Sequence, residues 1–442
     1  MTRKRLQSIF TLLLTFALYT SSTYATFNEK QMREHLRSAP SEDTYYSLNR
    51  FPESAQESLT DEIKNKSTRI YELVKKTISL ELQVTLSQII SIVSFIEKMK
   101  PTLKKHFETH SSVYVHSEST LGASVMAYES GRIYIVFEND KGSVSGGFKR
   151  FTRSIEYNSE KAHAHLTIRK KSKYTKLRDI IKELHIQQAF EGIPSILNFL
   201  DADVYTERKE NGHHEHVIAI EEELFDGDLG AMVLKRPNLD VMIDMFSQMA
   251  KAVKEMHGKR YVHRDIKPDN FLFRLENANI HVVLADFGLS ESRKSSEFGQ
   301  YMCGTSGFID LKQCVYVSSE DGVAFHDFKE GKEADVFSLG MSFAEILLGT
   351  ENRLATNTRQ VNDIIFDEGA EKKKVEKAIE KFKALHAEEF PNRKNFQGNK
   401  DILFRLRDLI GRMIHPEDNR RIHLTEVIER LGRLNRDVIR MK

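Results

Sequence analysis

The chain is poor in cysteine: only Cys303 and Cys314 occur in 442 residues. That excludes a disulfide scaffold and every multi-cysteine zinc pattern. The two thiols read as unrelated, although both lie in one segment and can pair in an oxidising compartment. An excess of charge of one sign is also missing. Sixty-six Lys and Arg stand against sixty-four Asp and Glu, a net charge of +2. This is no nucleic-acid footprint, which needs a clustered basic excess. Long apolar runs are absent beyond the N-terminus. The richest internal stretch, Gln88-Ile89-Ile90-Ser91-Ile92-Val93-Ser94-Phe95-Ile96, is short and broken by polar residues at helical spacing. No internal repeat is visible. What remains is 40% hydrophobic and 29% charged residues, a globular composition long enough for two to three domains.

The first 25 residues read as a secretory signal rather than as part of the fold. Thr2-Arg3-Lys4-Arg5 is basic, the run from Leu6 to Leu18 is apolar, and Thr23-Tyr24-Ala25 supplies small residues for cleavage after Ala25. A signal anchor is the competing reading, but the run falls short of the roughly 20 apolar residues that a span needs. Residues 26–58 are polar and read as linker. From 59 to 110 the pattern is helical: Ile63, Ile70, Leu73, Val74, Ile89, Ile90, Val93 and Ile96 recur mostly at three- and four-residue steps. Pro101 predicts a stop or a new first turn. This helical extension is expected to cap the next domain, with a partner-binding surface as the alternative.

Beyond residue 111 the period changes. Arg132 to Phe137, Ala162 to Lys170 and Val217 to Ile220 are rich in β-branched or alternating apolar residues and predict strands. Leu177 to Ala189 and Met242 to His257 have helical spacing. Glu371 to Lys383 is charge-dense and predicts a solvated helix face. Strands first and helices from Asp240 onward predict an α+β fold, a small sheet lobe followed by a larger helical lobe.

The chemistry concentrates in one window. His263-Arg264-Asp265-Ile266-Lys267-Pro268-Asp269-Asn270 is followed by Asp286-Phe287-Gly288. Asp265 can accept the proton of an incoming hydroxyl. Lys267 can place its ammonium on a transferring phosphate. Asn270 and Asp286 offer the hard oxygens that magnesium prefers. Phosphoryl transfer from ATP needs that set and little covalent help beyond it.

In order and spacing these motifs resemble the catalytic and magnesium loops of eukaryotic-type protein kinases, and the resemblance runs over residues 130–435. It implies a small lobe over about 130–223 and a large lobe over about 224–435. Lys267 directly after Asp265-Ile266 resembles the serine/threonine version of the loop. Gly304-Thr305-Ser306-Gly307-Phe308 resembles the end of an activation segment, with Thr305 beside Asp265. Asp335-Val336-Phe337-Ser338-Leu339-Gly340 resembles the helix whose aspartate braces the catalytic loop. Arg420 or Arg421 resembles the late arginine of the large lobe.

The small lobe matches less closely. Val144-Ser145-Gly146-Gly147-Phe148-Lys149-Arg150-Phe151 is the candidate glycine-rich loop: Gly146 and Gly147 would lie over the phosphates and Phe151 over adenine. Lys170, sharing parity with Leu166 and Ile168, is chosen as the lysine that grips the α- and β-phosphates; Arg169 and Lys171 are alternatives. Its helix partner is Glu183, with Asp179 as runner-up. Where the family has Ala-Pro-Glu, this chain has Asp310-Leu311-Lys312. Lys312 facing Arg420 or Arg421 would repel, so the family's bridge must be missing or rebuilt. Arg264 implies a partner for a phosphorylated segment, which predicts autophosphorylation between Ser290 and Thr305.

The leading expectation is therefore an exported serine/threonine kinase that uses ATP and Mg2+ on protein hydroxyls. A secreted pseudokinase scaffold and a small-molecule phosphotransferase are the alternatives. Since ATP is scarce outside cells, the host-cell cytosol or a secretory-pathway lumen is the expected compartment.

Overall fold

The computed structural model describes residues 60–77, 84–109, 113–118, 123–137, 145–146, 149–169, 177–208, 214–233, 237–277, 279–295, 303–310, 327–348, 360–361 and 400–440, with scattered helical positions between 373 and 382. The signal-like start, the 26–58 linker, Gly147, Lys170, Lys312 and Cys314 lie outside them. The chain divides into two compact units. One runs up to Ile181 and resumes over Asn198–Leu224; the other comprises Lys182–Leu197 and Phe225 onward.

The first unit opens with two helices. Helix α1, Asp61–Thr77, carries Asp61 and Glu62 in its first turn and Lys75 and Lys76 in its last, the charge order that the helix dipole favours. Helix α2, Leu86–Thr109, begins at a reciprocal cap. The Gln88 N–H donates to Thr85 Oγ1 at 3.3 Å, and the Thr85 N–H donates to Gln88 Oε1 at 2.7 Å. Pro101 does not stop α2, which continues beyond it to Thr109. The missing N–H costs a helical hydrogen bond, and burial of Leu103 just beyond, on the same core as Ile96, offsets it.

Strands β1 (Tyr114–Glu118), β2 (Ala123–Ala127), β3 (Ile133–Phe137), β4 (Ser145–Gly146), β5 (Lys149–Glu156) and β6 (Lys161–Arg169) follow. After helix α3 (Leu177–Ala189) come β7 (Phe199–Arg208) and β8 (His214–Glu223). They form one antiparallel sheet in the order β1-β2-β3-β5-β6-β8-β7, with β4 pairing β5. The sheet starts earlier than the sequence pattern suggested, because β1 and β2 lack the β-branched runs that mark a strand. Ile70, Val74, Ile89, Val93 and Ile96 of α1 and α2 pack on Ile133, Ile135, Phe137 and Ile155. The apolar stripe of the extension is spent on this sheet, each such side chain contributing about 1.5–3 kcal/mol.

The opposite face of the sheet combines a second apolar cluster, Val115, Met126, Tyr128, Tyr134, Val136 and Ala219, with buried polar groups. Tyr134 Oη donates to Asp201 Oδ2 at 2.8 Å, Ser154 Oγ donates to Glu221 Oε2 at 2.7 Å, and His165 Nδ1 lies 2.6 Å from Glu221 Oε1. The sheet curls until its ends meet: the Val113 N–H, just before β1, donates to Asp203 Oδ2 on β7 at 2.6 Å. As a result β6 is covered on both sides, with Leu166 facing one way and His163, His165 and Thr167 the other, all buried. Burial along the described part of β6 therefore does not mark a single inward face; Lys170 itself lies outside the described residues.

The second unit is built on helices α5 (Leu239–Gly258), α6 (Phe328–Leu348), α7 (Lys400–Met413) and α8 (Leu424–Arg440), with the short α4 (Leu229–Val233) ahead of them. Strands β9 (Gly227–Asp228), β10 (Tyr261–Val262), β11 (Phe271–Glu276), β12 (Asn279–Leu284), β13 (Glu291–Ser292), β14 (Gly304–Thr305) and β15 (Gln360–Val361) make three small sheets. Helix α6 is buried on nearly every side from Ala334 to Leu348 and stacks Phe343 on Phe246 of α5, ring centroids 4.1 Å apart. Between residues 373 and 382, Ile379 and Phe382 are buried while Lys373, Glu376 and Lys377 are exposed, so that charge-dense stretch has an inward face too. The whole is α+β.

Candidate active site

A loop between β10 and β11 carries His263 to Asn270, and its shape is imposed from α6. Asp335, buried in that helix, accepts the backbone N–H groups of His263 and Arg264, each at 2.9 Å. His257 Nε2, at the end of α5, lies 2.8 Å from the same carboxylate. Burial is the largest influence on the Asp335 carboxyl and pushes it up. The hydrogen bond and favourable electrostatics from His257, with the His263 backbone donor, outweigh burial and hold it below the ordinary carboxylate value.

His263 is wholly buried. Its Nε2 faces the Ala285 carbonyl at 3.1 Å and its Nδ1 accepts the Asp265 N–H at 3.3 Å. That pair of partners assigns the proton to Nε2. Two non-glycine residues take left-handed backbone here, Arg264 at φ 71 and Asp286 at φ 60. Such conformations cost of order 1–3 kcal/mol each and persist only where the surroundings impose them.

Asp265 is the centre of the cluster. Its Oδ1 accepts Thr305 Oγ1 at 2.6 Å, and its Oδ2 accepts Lys267 Nζ at 2.9 Å and Asn270 Nδ2 at 3.2 Å. Lys267 Nζ also donates to Thr305 Oγ1 at 2.9 Å, and Asn270 Nδ2 to the Asp265 carbonyl at 2.7 Å. Thr305 reaches this place because Gly304 lies against the loop. At φ 131, a Cβ on Gly304 would stand 2.9 Å from the Arg264 carbonyl oxygen. Cys303, one residue earlier, is a free buried thiol pushed up to about 11 by burial, which leaves it protonated and unreactive.

Asp286 sits on a turn anchored by its neighbour. Phe287 is fully buried, 6.1 Å from the Phe190 ring and 5.6 Å from the His263 ring. A Cβ on Gly288 would stand 3.5 Å from Asp286 Oδ1 and 3.8 Å from Glu183 Oε2, so both carboxylates flank one backbone position. The Asn270 amide nitrogen is committed to Asp265, which leaves its carbonyl oxygen as the end that could meet a cation. An amide oxygen and a carboxylate are a fitting donor set for magnesium, which keeps several waters and binds through one or two protein oxygens plus substrate phosphates. Among the described residues no group of three or more His, Cys, Asp or Glu side chains could hold a metal alone.

Asp265, Lys267, Asn270 and Thr305 are thus brought into direct contact, and Asp286 and Glu183 are neighbours on the Gly288 turn. Gly146 and Phe151 belong to the sheet unit: Gly146 pairs with Lys149 across β4 and β5, and Phe151, on β5, is 39% exposed. Three functional contacts escaped the sequence reading. Arg421, not Arg420, is the buried late arginine, and it meets Asp310 with two hydrogen bonds at 2.5 and 2.6 Å. The bridge is rebuilt two residues before Lys312. The second is His257 on Asp335. The third is Glu291, whose carboxylate accepts the Arg264 guanidinium in a buried ion pair; no spacing signal marks it.

Residues 141–431 match the family model described as the protein kinase domain. The mitogen-activated protein kinase spk1 of Schizosaccharomyces pombe is 31% identical over 172 residues, 38% of this chain and 41% of that protein. A calcium/calmodulin-dependent protein kinase type 1 from Macrobrachium nipponense is 32% identical over 139 residues, 30% of this chain and 36% of its own. The testis-specific serine/threonine-protein kinase 2 of Mus musculus is 27% identical over 211 residues, 46% and 48% of the two chains. The chain spans less than half the length of these curated relatives. The family match, by contrast, takes in about two thirds of the chain, including the loop on which Asp265 is held, and so the chain belongs to the protein kinase family.

Proposed function

We propose that this chain is a serine/threonine protein kinase that moves the γ-phosphoryl group of ATP to a protein hydroxyl. The observation that carries the reading is the Asp265 carboxylate, with Thr305 on one oxygen and Lys267 on the other. Held this way, Asp265 can orient an incoming hydroxyl and take its proton. Lys267, a fixed ammonium beside the base, offsets charge on the transferring group. Thr305 ties the substrate-side segment to the base, which suits a protein substrate. Magnesium, when bound by Asn270 and Asp286, would neutralise charge on the ATP phosphates. Gly146, Gly147, Phe151 and a basic residue at the end of β6, with Lys170 one candidate and Glu183 its partner, are the proposed nucleotide-binding set.

The test is radiolabel transfer from ATP to a generic protein, compared with Asp265→Ala. Labelling that exceeds the variant's by several orders of magnitude is expected; equal labelling would leave a binding scaffold in place of an enzyme. Export is proposed on the basic, apolar and small-residue pattern of Thr2 to Ala25. Sequencing the N-terminus of the mature protein checks it, with Thr26 expected first.

A further inference from the structure

Arg264 precedes the base and adopts left-handed backbone. Its guanidinium is buried, 6% exposed, and so is the Glu291 carboxylate that it meets, at 3%. A guanidinium cannot be deprotonated, so burying it demands an anion. In the phosphorylation-dependent arrangement that the family resemblance implies, the anion arrives as a phosphoryl group. Here it is a carboxylate written into the chain.

The surrounding contacts make Glu291 a clasp. Strand β13 begins at Glu291 and pairs antiparallel with β10, Val262 opposite Glu291 and Tyr261 opposite Ser292. Ser290 Oγ donates to the His263 carbonyl at 3.3 Å, and the Arg293 N–H donates to the Arg260 carbonyl at 2.9 Å. Ser295 Oγ donates to Glu291 Oε1 at 3.3 Å. Five residues after Asp286, the segment is already stitched to the strand that enters the catalytic loop.

We infer that Glu291 is a positioning residue: through Arg264 it orders Asp265 without phosphorylation of the segment. The inference rests on the phosphotransfer reading above. It also reverses the sign expected of modification. Ser290 is fully buried, and a phosphate on Ser295 would add like charge beside the Glu291 carboxylate, which disrupts. Phosphorylation there would loosen the clasp that it tightens in a segment without a resident acid.

The test uses the full chain, treated with phosphatase until no phosphate remains between Ser290 and Thr305 by mass spectrometry. Activity within about twofold of the untreated protein is expected; loss of most activity would overturn the inference. Glu291→Gln should lower kcat about 10- to 100-fold, the scale of a misplaced catalytic group, with KM for ATP unchanged. In an Arg264→Ala background it should do nothing further. Ser295→Asp should also lower kcat, and a rise would refute the clasp. If the untreated protein labels no better than Asp265→Ala, the enzymatic reading fails separately. Amide exchange at Arg293 then reads the clasp itself: protection is expected in the dephosphorylated protein and should be lost in Glu291→Gln, and equal protection in both would sink it.

Discussion

Replacing Asp310 by alanine should destabilise the helical unit more than any substitution on its surface. The Arg421 guanidinium is 1% exposed and the Asp310 carboxylate 3%, and two parallel hydrogen bonds join them. In Asp310→Ala the cation keeps three carbonyls, those of His415 at 2.8 Å, Glu333 at 3.1 Å and Pro416 at 3.2 Å, but no anion. Removing one partner of a buried pair costs about 3–5 kcal/mol. At 2–4 °C per kcal/mol for a unit of 150–250 residues, that is a fall of about 6–20 °C in Tm. Replacing both residues, as Asp310→Leu with Arg421→Met, removes the stranded charge but abandons the three carbonyls, each worth about 1 kcal/mol. The double variant should therefore lose less than the two single losses summed, with a coupling energy above about 2 kcal/mol. Urea unfolding of the wild type, both single variants and the double gives that coupling directly. A cost below about 1 kcal/mol for Asp310→Ala, or strict additivity in the double, would refute the claim that this pair replaces the family's bridge.

Two further expectations concern the catalytic loop. Gly304→Ala places a methyl 2.9 Å from the Arg264 carbonyl oxygen at a φ of 131. A cost of about 1–3 kcal/mol in stability is expected, together with a kcat loss near 100-fold as Thr305 is pushed from Asp265; unchanged kcat would show that Thr305 does not need this approach. Asp335 is held below the ordinary carboxylate value, so its stabilisation is full above the unfolded value near 3.9 and is lost as pH falls through the lower folded value. Asp335→Asn should accordingly lower stability at pH 7 and flatten the acid side of the stability–pH curve below about pH 4, read by unfolding midpoints from pH 2 to 8; an unaltered acid limb would assign that dependence to other carboxylates.

The features legible in the sequence were those written over short distances. Helix α3 matches the predicted span because its apolar residues keep one period from Leu177 to Ala189. Asp265, Lys267 and Asn270 lie within six residues of each other, so their spacing alone carries the geometry. Features fixed by distant partners were not legible. Asp310 and Arg421 are 111 residues apart, and nothing local says that the acid has moved from position 312 to 310. The covering of both faces of β6 depends on the curl of the sheet, which alternation cannot reveal. Glu291 reads as an ordinary polar residue until β13 pairs with β10.

The curl of the first sheet bears on where this protein can be cut. The family match begins at residue 141, yet β1, β2 and β3 all precede it, and β3 pairs with β5 from Tyr134 opposite Glu156 to Phe137 opposite Arg153. A fragment trimmed to the family boundary would bare the edge of β5 and strip the helices from Ile155, leaving an unpaired strand edge beside an uncovered apolar side chain, a combination that invites aggregation. The matched domain and the shortest piece that keeps this sheet paired are different lengths of the same chain.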